Sequence, residues 1–142
     1  MERWMALDIG EKRIGVAVSD PLGMIAQGVE VFTRTGRKKE DLRRLTELFR
    51  AYRSTGLVIG LPLHMNGRIG EEAQKIKEFG TLLGKKCGVT PVFWDERLTT
   101  VQAERSLLEM DLSRRKRRGV IDQVAAALLL ESFLRSHKSP EK

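Results

Sequence analysis

A short apolar run bounded by glycines, Gly56 to Gly60, constrains the fold of this chain more than any other feature. A brief run with no polar side predicts a strand that is covered on both faces of a sheet. Amphipathic helical patterns flank it at 38–53 and 71–86, and another short apolar run follows at 89–94. Strands that alternate with helices pair in parallel, so this part of the chain predicts an α/β sheet with helices on both faces.

The N-terminal part predicts three further strands. Apolar residues 3–8, turn residues 10–13 and the alternating segment 14–19 are typical of a β-hairpin. A turn at 20–23 then precedes a third strand within 24–33. We therefore predict a mixed, five-stranded sheet that begins as an antiparallel meander and ends with parallel strands.

Two glycines of the hairpin are predicted to be structural. Gly10 lies in its turn, and Gly15 lies in its second strand on the face that also carries Ala17 and Ser19. Because these side chains are small, another element can approach that face closely, and a packed helix is the simplest candidate.

Two helices are predicted after the last strand. Thr99 with Gln102 resembles a capping box, and it opens a helix that reaches Met110. The dense basic run 113–119 is predicted to be a mobile loop with a glycine hinge. The last helix, 120–136, is apolar nearly all round, which is typical of a helix pressed against a sheet.

Composition limits both the architecture and the partners. The 142 residues are 41% hydrophobic, enough for one core, so we predict a single domain over 1–138 and a polar tail over 139–142. The 26 Lys and Arg exceed the 19 Asp and Glu, giving a net charge of +7 that favours a polyanion such as nucleic acid. The single cysteine, Cys87, excludes an internal disulfide framework and a cysteine-based zinc site. With no signal-peptide pattern and no membrane-length apolar run, we expect a cytoplasmic protein without a membrane partner.

Acidic residues follow two of the predicted strands. Asp8 ends the first strand, and Glu96 follows the fifth. The carboxyl ends of strands in an α/β fold face the crevice where ligands bind, so the two acids meet if their strands are parallel neighbours. Carboxylates brought together repel unless a proton or a cation lies between them, which is a first indication of metal.

A third acid, Asp122, lies in the first turn of the last predicted helix. Apolar residues continue its face at helical spacing, so its side chain should point towards the sheet. Three carboxylates at one end of a sheet suit Mg²⁺ or Mn²⁺, and two such ions activate water and stabilise a leaving oxygen in phosphodiester cleavage. We therefore predict Asp8, Glu96 and Asp122 as catalytic residues and as ligands of two ions.

Each acid also has a simpler interpretation. Asp8 closes the hairpin as an Asx turn in one alternative, and Asp122 interacts with the helix dipole in another. Glu96 forms a surface ion pair with Arg97 or Lys12 in a third, which adds little stability.

Basic side chains near the acids are predicted to hold phosphates of the substrate. The alternative for the run at 114–118 is a solvated cluster of charge. Asn66 first indicates a turn with Gly67, and a substrate contact is its second role; His64 is interpreted as an ordinary loop residue. The predicted substrate-binding residues are Lys12, Arg13, Asn66, Arg97, Arg114, Arg115, Lys116, Arg117 and Arg118.

Four ordered motifs cover nearly the whole chain, and each includes or adjoins residues of this predicted site. In order they are Asp8-Ile9-Gly10 with 13–20, Gly60-Leu61-Pro62 with Asn66-Gly67, Asp95 to Thr100, and Ile121-Asp122 with Ala125-Ala126. Together they resemble the YqgF/RuvX family, whose members are described as pre-16S ribosomal RNA nucleases and as homologues of Holliday junction resolvases.

The resemblance implies a ribonuclease H-like fold and a cytoplasmic bacterial nuclease that matures the 5′ end of small-subunit RNA. It also implies that Asp8, Glu96 and Asp122 bind metal. Classical junction resolvases carry a further Asp one helical turn after the third acid, whereas alanines occupy that turn here. Asp95 is not expected to replace it, because strand alternation turns Asp95 away from Glu96.

Several functions remain open. The first is a metal-dependent nuclease on structured RNA, associated with ribosomal precursor particles and acting as a monomer or weak homodimer. One alternative is a junction-resolving nuclease on branched DNA, and another is a non-catalytic RNA-binding or ribosome assembly factor. An actin/Hsp70-like ATPase also begins with Asp-Ile-Gly and a glycine hairpin, but its two lobes need a longer chain.

Overall fold

The computed structural model describes residues 2–98 and 114–137. The predicted helix that opens at Thr99 lies outside the described residues, as do Ser113 and the tail at 139–142. None of the helices in the described ranges combines the length and apolar composition that a membrane span requires.

Five strands form one mixed sheet in the order β3-β2-β1-β4-β5. The first three pair antiparallel, and β4 pairs in parallel with both β1 and β5, so the predicted meander and the predicted parallel strands are confirmed. The strands are β1 (Trp4–Ile9), β2 (Arg13–Ser19), β3 (Ala26–Thr33), β4 (Gly56–Leu61) and β5 (Val92–Asp95). The helices within the described ranges are α1 (Lys38–Ala51), α2 (Glu71–Cys87) and α3 (Arg114–His137), with a 3₁₀ turn at Glu96–Leu98.

The assumption that β1 and β5 are neighbours is wrong, because β4 lies between them. The run 56–60 has no polar side chain and is buried throughout, so it takes the central position among the parallel strands. Any contact between the acids of β1 and of the β5 end must therefore cross β4.

Helices cover both faces of the sheet, as predicted. Alternate strand residues such as Leu7 and Ile59 pack with α1 and α2 in one core, and we call this side the α1/α2 face. The intervening residues, among them Ala6 and Val58, pack with Leu129 of α3, and this side is the α3 face. The alternation fixes which side chains of a strand reach each side.

Glycines let α3 lie directly on the sheet. A Cβ atom added to Gly15 would come within 2.2 Å of the carbonyl oxygen of Asp122. One added to Gly28 would come within 2.7 Å of the carbonyl oxygen of Gln123. The backbone of α3 therefore contacts β2 and β3, and the close approach predicted for the second strand is made by a packed helix.

The prediction of a loop over 113–119 is wrong for its described part. The helix begins at Arg114 rather than at Val120, so the basic run 114–118 forms its first turn and Gly119 is a helical residue rather than a hinge. Arg and Lys are good helix formers, and one internal glycine costs only about 1 kcal/mol, which the packing of a long helix outweighs.

Candidate active site

Asp8 lies between two glycines at the end of β1. Its Cα pairs with that of Gly15 in β2, and because Leu7 pairs with Ile59, Gly60 is the next residue of β4 on its other side. Since Asp8 follows Leu7 of the α1/α2 face, its side chain belongs to the α3 face. The carboxyl group is therefore flanked in both adjacent strands by positions without a side chain.

Gly60 makes room for Glu96. A Cβ atom at Gly60 would come within 2.4 Å of Oε2 of Glu96, so the carboxylate occupies the space above β4 where a side chain would otherwise lie. Glu96 thus lies over the strand that separates β5 from β1. Because Gly60 has no side chain, Glu96 can extend over β4, the strand next to that of Asp8, although β4 separates β5 from β1.

Asp122 reaches the same end of the sheet from α3. Its carbonyl oxygen lies over Gly15, the β-pairing partner of Asp8. Its carboxylate accepts a hydrogen bond from Nε of Arg13 at 2.8 Å, and its side chain is only 13% exposed. The predicted orientation towards the sheet is confirmed, and Ala126 of the same helix is fully buried.

Two of the simpler interpretations lose their support. An Asx turn at Asp8 would need the N–H of Gly10, which instead donates to the carbonyl oxygen of Arg13 at 2.9 Å. Asp122 lies about two turns inside α3, whereas the helix dipole acts within the first turn. Both alternatives therefore lack the local geometry that they require.

A cavity of about 260 Å³ lies between the hairpin and α3. Its lining brings two of the acids together with Lys12 and Arg13, which the sequence predicts as phosphate-binding residues. A polyanion entering it would meet cationic groups beside the carboxylates. The lining residues are Asp8, Gly10, Glu11, Lys12, Arg13 and Asp122.

Arg97 pairs with Asp95. Its Nη2 lies 2.7 Å from Oδ2 of Asp95, and its Nε also donates to that carboxylate. Hydrogen bonds from Arg97 hold the pKa of Asp95 below its usual value. Asp95 follows Phe93 of the α1/α2 face by two residues, so it belongs to the side opposite Glu96, as expected.

The same arginine fixes the loop after β4. Nη1 of Arg97 donates to the carbonyl oxygen of Met65 at 3.0 Å, and Oδ1 of Asn66 accepts from the N–H of Arg68 at 3.0 Å. Gly67 completes the turn with φ 84°. Arg97 and Asn66 therefore have structural bonds, and their substrate contacts remain predictions.

The donor chemistry of the acids fits a hard divalent cation, because all three supply carboxylate oxygens. Within residues 2–98 and 114–137, however, no three His, Cys, Asp or Glu side chains converge closely enough to hold a metal ion. Asp122 is bonded to Arg13 through Oδ2, so the arginine and a metal ion would compete for the negative charge of this carboxylate.

Sequence reasoning missed Gly60 as a residue of the site. It treated this glycine as the boundary of an apolar run and as part of a family motif, and gave it no role in the site. The available signal was its position, because Gly60 ends a strand of the parallel part of the sheet, as the acids do. Its role depends on the strand order, which puts β4 between the two acids.

Solved structures identify the class of fold. T. thermophilus RuvC in complex with a Holliday junction substrate is similar over 98% of both chains, with 14% identity and a TM-score of 0.61. The fowlpox virus resolvase in complex with Holliday junction DNA is similar over 96% of this chain and 99% of its own, with 11% identity and a TM-score of 0.56. The fold is ribonuclease H-like, as the sequence motifs imply.

Sequence relationships are more specific. The family model RuvX, described as Holliday junction resolvase, matches residues 2–136. A Moorella thermoacetica protein is 52% identical over 132 residues, covering 93% of this chain and 94% of its own length. A Pelotomaculum thermopropionicum protein is 45% identical over 140 residues, with 99% and 91% covered. Both relatives are described as candidate pre-16S rRNA nucleases. The chain belongs to the RuvX family.

Proposed function

We propose that this protein is a nuclease that uses divalent metal to hydrolyse phosphodiester bonds while maturing the 5′ end of precursor 16S rRNA. The observation that carries the proposal is the placement of three acids on one face, at one end of the sheet. Asp8 stands between two glycines, and the space over those glycines is taken by Glu96 and by the helix that bears Asp122.

In this proposal Asp8, Glu96 and Asp122 hold one or two Mg²⁺ or Mn²⁺ ions, which would activate a water and stabilise the leaving oxygen. Asp8 supplies the central carboxylate, since it lies in the strand between β2 and β4. Before metal binds, Arg13 pairs with the carboxylate of Asp122 and holds it beside the cavity. Gly60 gives Glu96 its place above β4.

The proposed phosphate contacts surround these acids. Lys12 and Arg13 line the cavity, and Asn66 and Arg97 belong to or fix the loop after β4. The backbone of 114–118 continues α3 about 6–12 Å beyond Asp122, at 1.5 Å per residue. This position supports a contact between the basic run and nucleic acid that extends beyond the acids.

RNA is the favoured substrate. Close relatives are described as candidate pre-16S rRNA nucleases, and the proposed location is the cytoplasm, on ribosomal precursors. The description of the family favours a second candidate, Holliday junction DNA. Ala125 and Ala126 are almost fully buried where classical resolvases carry a further acid, which supports RNA.

The test compares the wild type with Asp8→Asn, Glu96→Gln and Asp122→Asn. Each variant should lose most cleavage of precursor RNA in Mn²⁺ or Mg²⁺ while RNA binding persists, because the acids position metal and the basic groups supply affinity. Glu78→Gln, on an exposed part of α2, is the charge-matched control and should cleave normally. Four-way DNA junctions in parallel reactions distinguish the two substrates.

Thermal melting separates a ligand from a merely structural acid. Mn²⁺ should raise the melting temperature of the wild type much more than that of Asp8→Asn, because binding to the native state adds stability that grows with the logarithm of the affinity. Equal shifts in both proteins would remove Asp8 from the metal site. A wild type that binds precursor RNA but never cleaves it would favour the assembly-factor alternative.

A further inference from the structure

A second basic surface lies at the acid end of the sheet. Thr33, the last residue of β3, pairs with Arg13, the first residue of β2, so the turn that follows β3 lies beside the hairpin that borders the cavity. This turn and the start of α1 carry four cationic residues. We call them the β3–α1 surface: Arg34, Arg37, Lys38 and Lys39.

The turn is fixed in place by hydrogen bonds. The backbone N–H of Arg34 donates to the carbonyl oxygen of Lys12 at 2.9 Å, and its Nη1 donates to that of Gly10 at 2.8 Å. Asp41 is 2% exposed and accepts bonds from the backbone N–H and the hydroxyl of Thr35, at 3.0 and 2.8 Å. The backbone of the surface therefore needs little ordering when it binds a ligand.

Helix stability does not explain these charges. Arg37, Lys38 and Lys39 are exposed at the N-terminus of α1, where the helix dipole disfavours cations. Glu40, the first acid of the helix, hydrogen-bonds with Arg43 one turn further along. A cluster of positive charge at an unfavourable helix end is better explained by an anionic partner.

We propose that the β3–α1 surface holds the phosphate backbone of a double-helical flank of the substrate. The inference rests on the proposed function and extends it. Strands lie about 4.8 Å apart, so β3, two strands from Asp8, is on the order of 10 Å away, and the start of α1, on the α1/α2 face, lies further from the acids on the α3 face. The flank must therefore extend at least about three base pairs past the acids, at about 3 Å of duplex axis per pair.

The surface suits a duplex better than a single strand. Proteins that hold single strands stack bases on exposed aromatic side chains. In the described ranges 2–98 and 114–137 the exposed large hydrophobic side chains are aliphatic or Met, such as Met65 and Ile69, and none is aromatic. Cations without stacking platforms suit contacts with the phosphate backbone of a paired flank.

The test removes three charges from each end of the molecule. Arg37→Gln/Lys38→Gln/Lys39→Gln is compared with Arg53→Gln/Lys85→Gln/Lys86→Gln, whose exposed residues lie just after α1 and in the last turn of α2, at the opposite end of the sheet. Circular dichroism verifies that both variants are folded. Metal-free binding is measured with precursor RNA carrying a paired flank of about fifteen base pairs or one of about two.

We expect the first variant to bind the long-flank RNA about tenfold or more weakly, with a salt slope reduced by about 2 to 3. On the short-flank RNA its affinity should equal that of the wild type. The control variant should bind both RNAs with wild-type affinity. Equal affinity and slope for the two variants, or an equal loss on both flanks, would overturn the inference. A wild type that binds but never cleaves refutes only the nuclease proposal, whereas one that binds no RNA refutes both.

Discussion

The two glycines beside Asp8 face different neighbours at similar distances. A Cβ at Gly15 would meet the backbone of α3, 2.2 Å from the carbonyl oxygen of Asp122. A Cβ at Gly60 would meet the tip of a side chain, 2.4 Å from Oε2 of Glu96. A packed helix cannot yield locally, whereas a carboxylate can rotate away. Gly15 is therefore a requirement of the fold and Gly60 a requirement of the site.

The largest effect should follow Gly15→Ala. The added methyl group must displace α3 from β2, and overpacking of this kind costs about 3 kcal/mol of unfolding free energy. Urea denaturation measures the loss, with Gly60→Ala as the matched substitution. A loss below about 1 kcal/mol would mean that α3 moves freely on the sheet and would end the distinction between the two glycines.

Gly60→Ala should affect activity rather than stability. The protein should keep its unfolding free energy within about 1 kcal/mol, while cleavage falls about 100-fold because the carboxylate of Glu96 is displaced. The double variant Gly60→Ala/Glu96→Gln tests whether this loss of cleavage acts through Glu96. If Gly60 acts through Glu96, the double variant should be no slower than Glu96→Gln alone, and additive losses would contradict that route.

Arg13→Gln tests the contact between β2 and α3 near Gly15 without changing a glycine. The substitution leaves the largely buried carboxylate of Asp122 without this charged partner, and we expect a loss of about 1–2 kcal/mol in metal-free protein. Thermal or urea denaturation provides the measurement, and Lys12→Gln is the control for charge in the same hairpin. Equal stability of the two variants would show that the pair is only a surface contact.

The smallest effect should follow Asp95→Asn, at the end of β5, the strand that pairs with the strand of Gly60. Because the folded-state pKa of Asp95 is lowered by Arg97, its contribution is present above the unfolded-state pKa and is lost as pH falls through the folded-state value. We expect a difference below about 1 kcal/mol at pH 7 that disappears once the pH has fallen below the folded-state pKa of Asp95. A difference that is constant with pH would assign the effect to packing instead.

Local patterns predicted much of this architecture. Alternation at 14–19 and the apolar run at 56–60 gave the meander and the parallel strands, because side-chain periodicity is a property of each strand alone. The position of Asp8 at a strand end and the orientation of Asp122 followed from the same reasoning. These features depend on residues that are close in the sequence.

The errors concern long-range order and competing local signals. The insertion of β4 between β1 and β5 depends on burial across the whole sheet, so the role of Gly60 could not be seen before the strand order was known. The start of α3 was misplaced because a basic run with a glycine also resembles a loop. The packing that holds the helix together comes from β2 and β3, which are distant in the sequence.

The bond between Arg13 and Asp122 makes the arginine an internal counterion. In the proposed mechanism a divalent ion competes with it for the carboxylate of Asp122, so the pair lowers the affinity of the site for metal. In return, the repulsion between carboxylates is relieved before any ion arrives, which stabilises the metal-free fold. Arg13 would then set the lowest concentration of free metal at which the enzyme switches on.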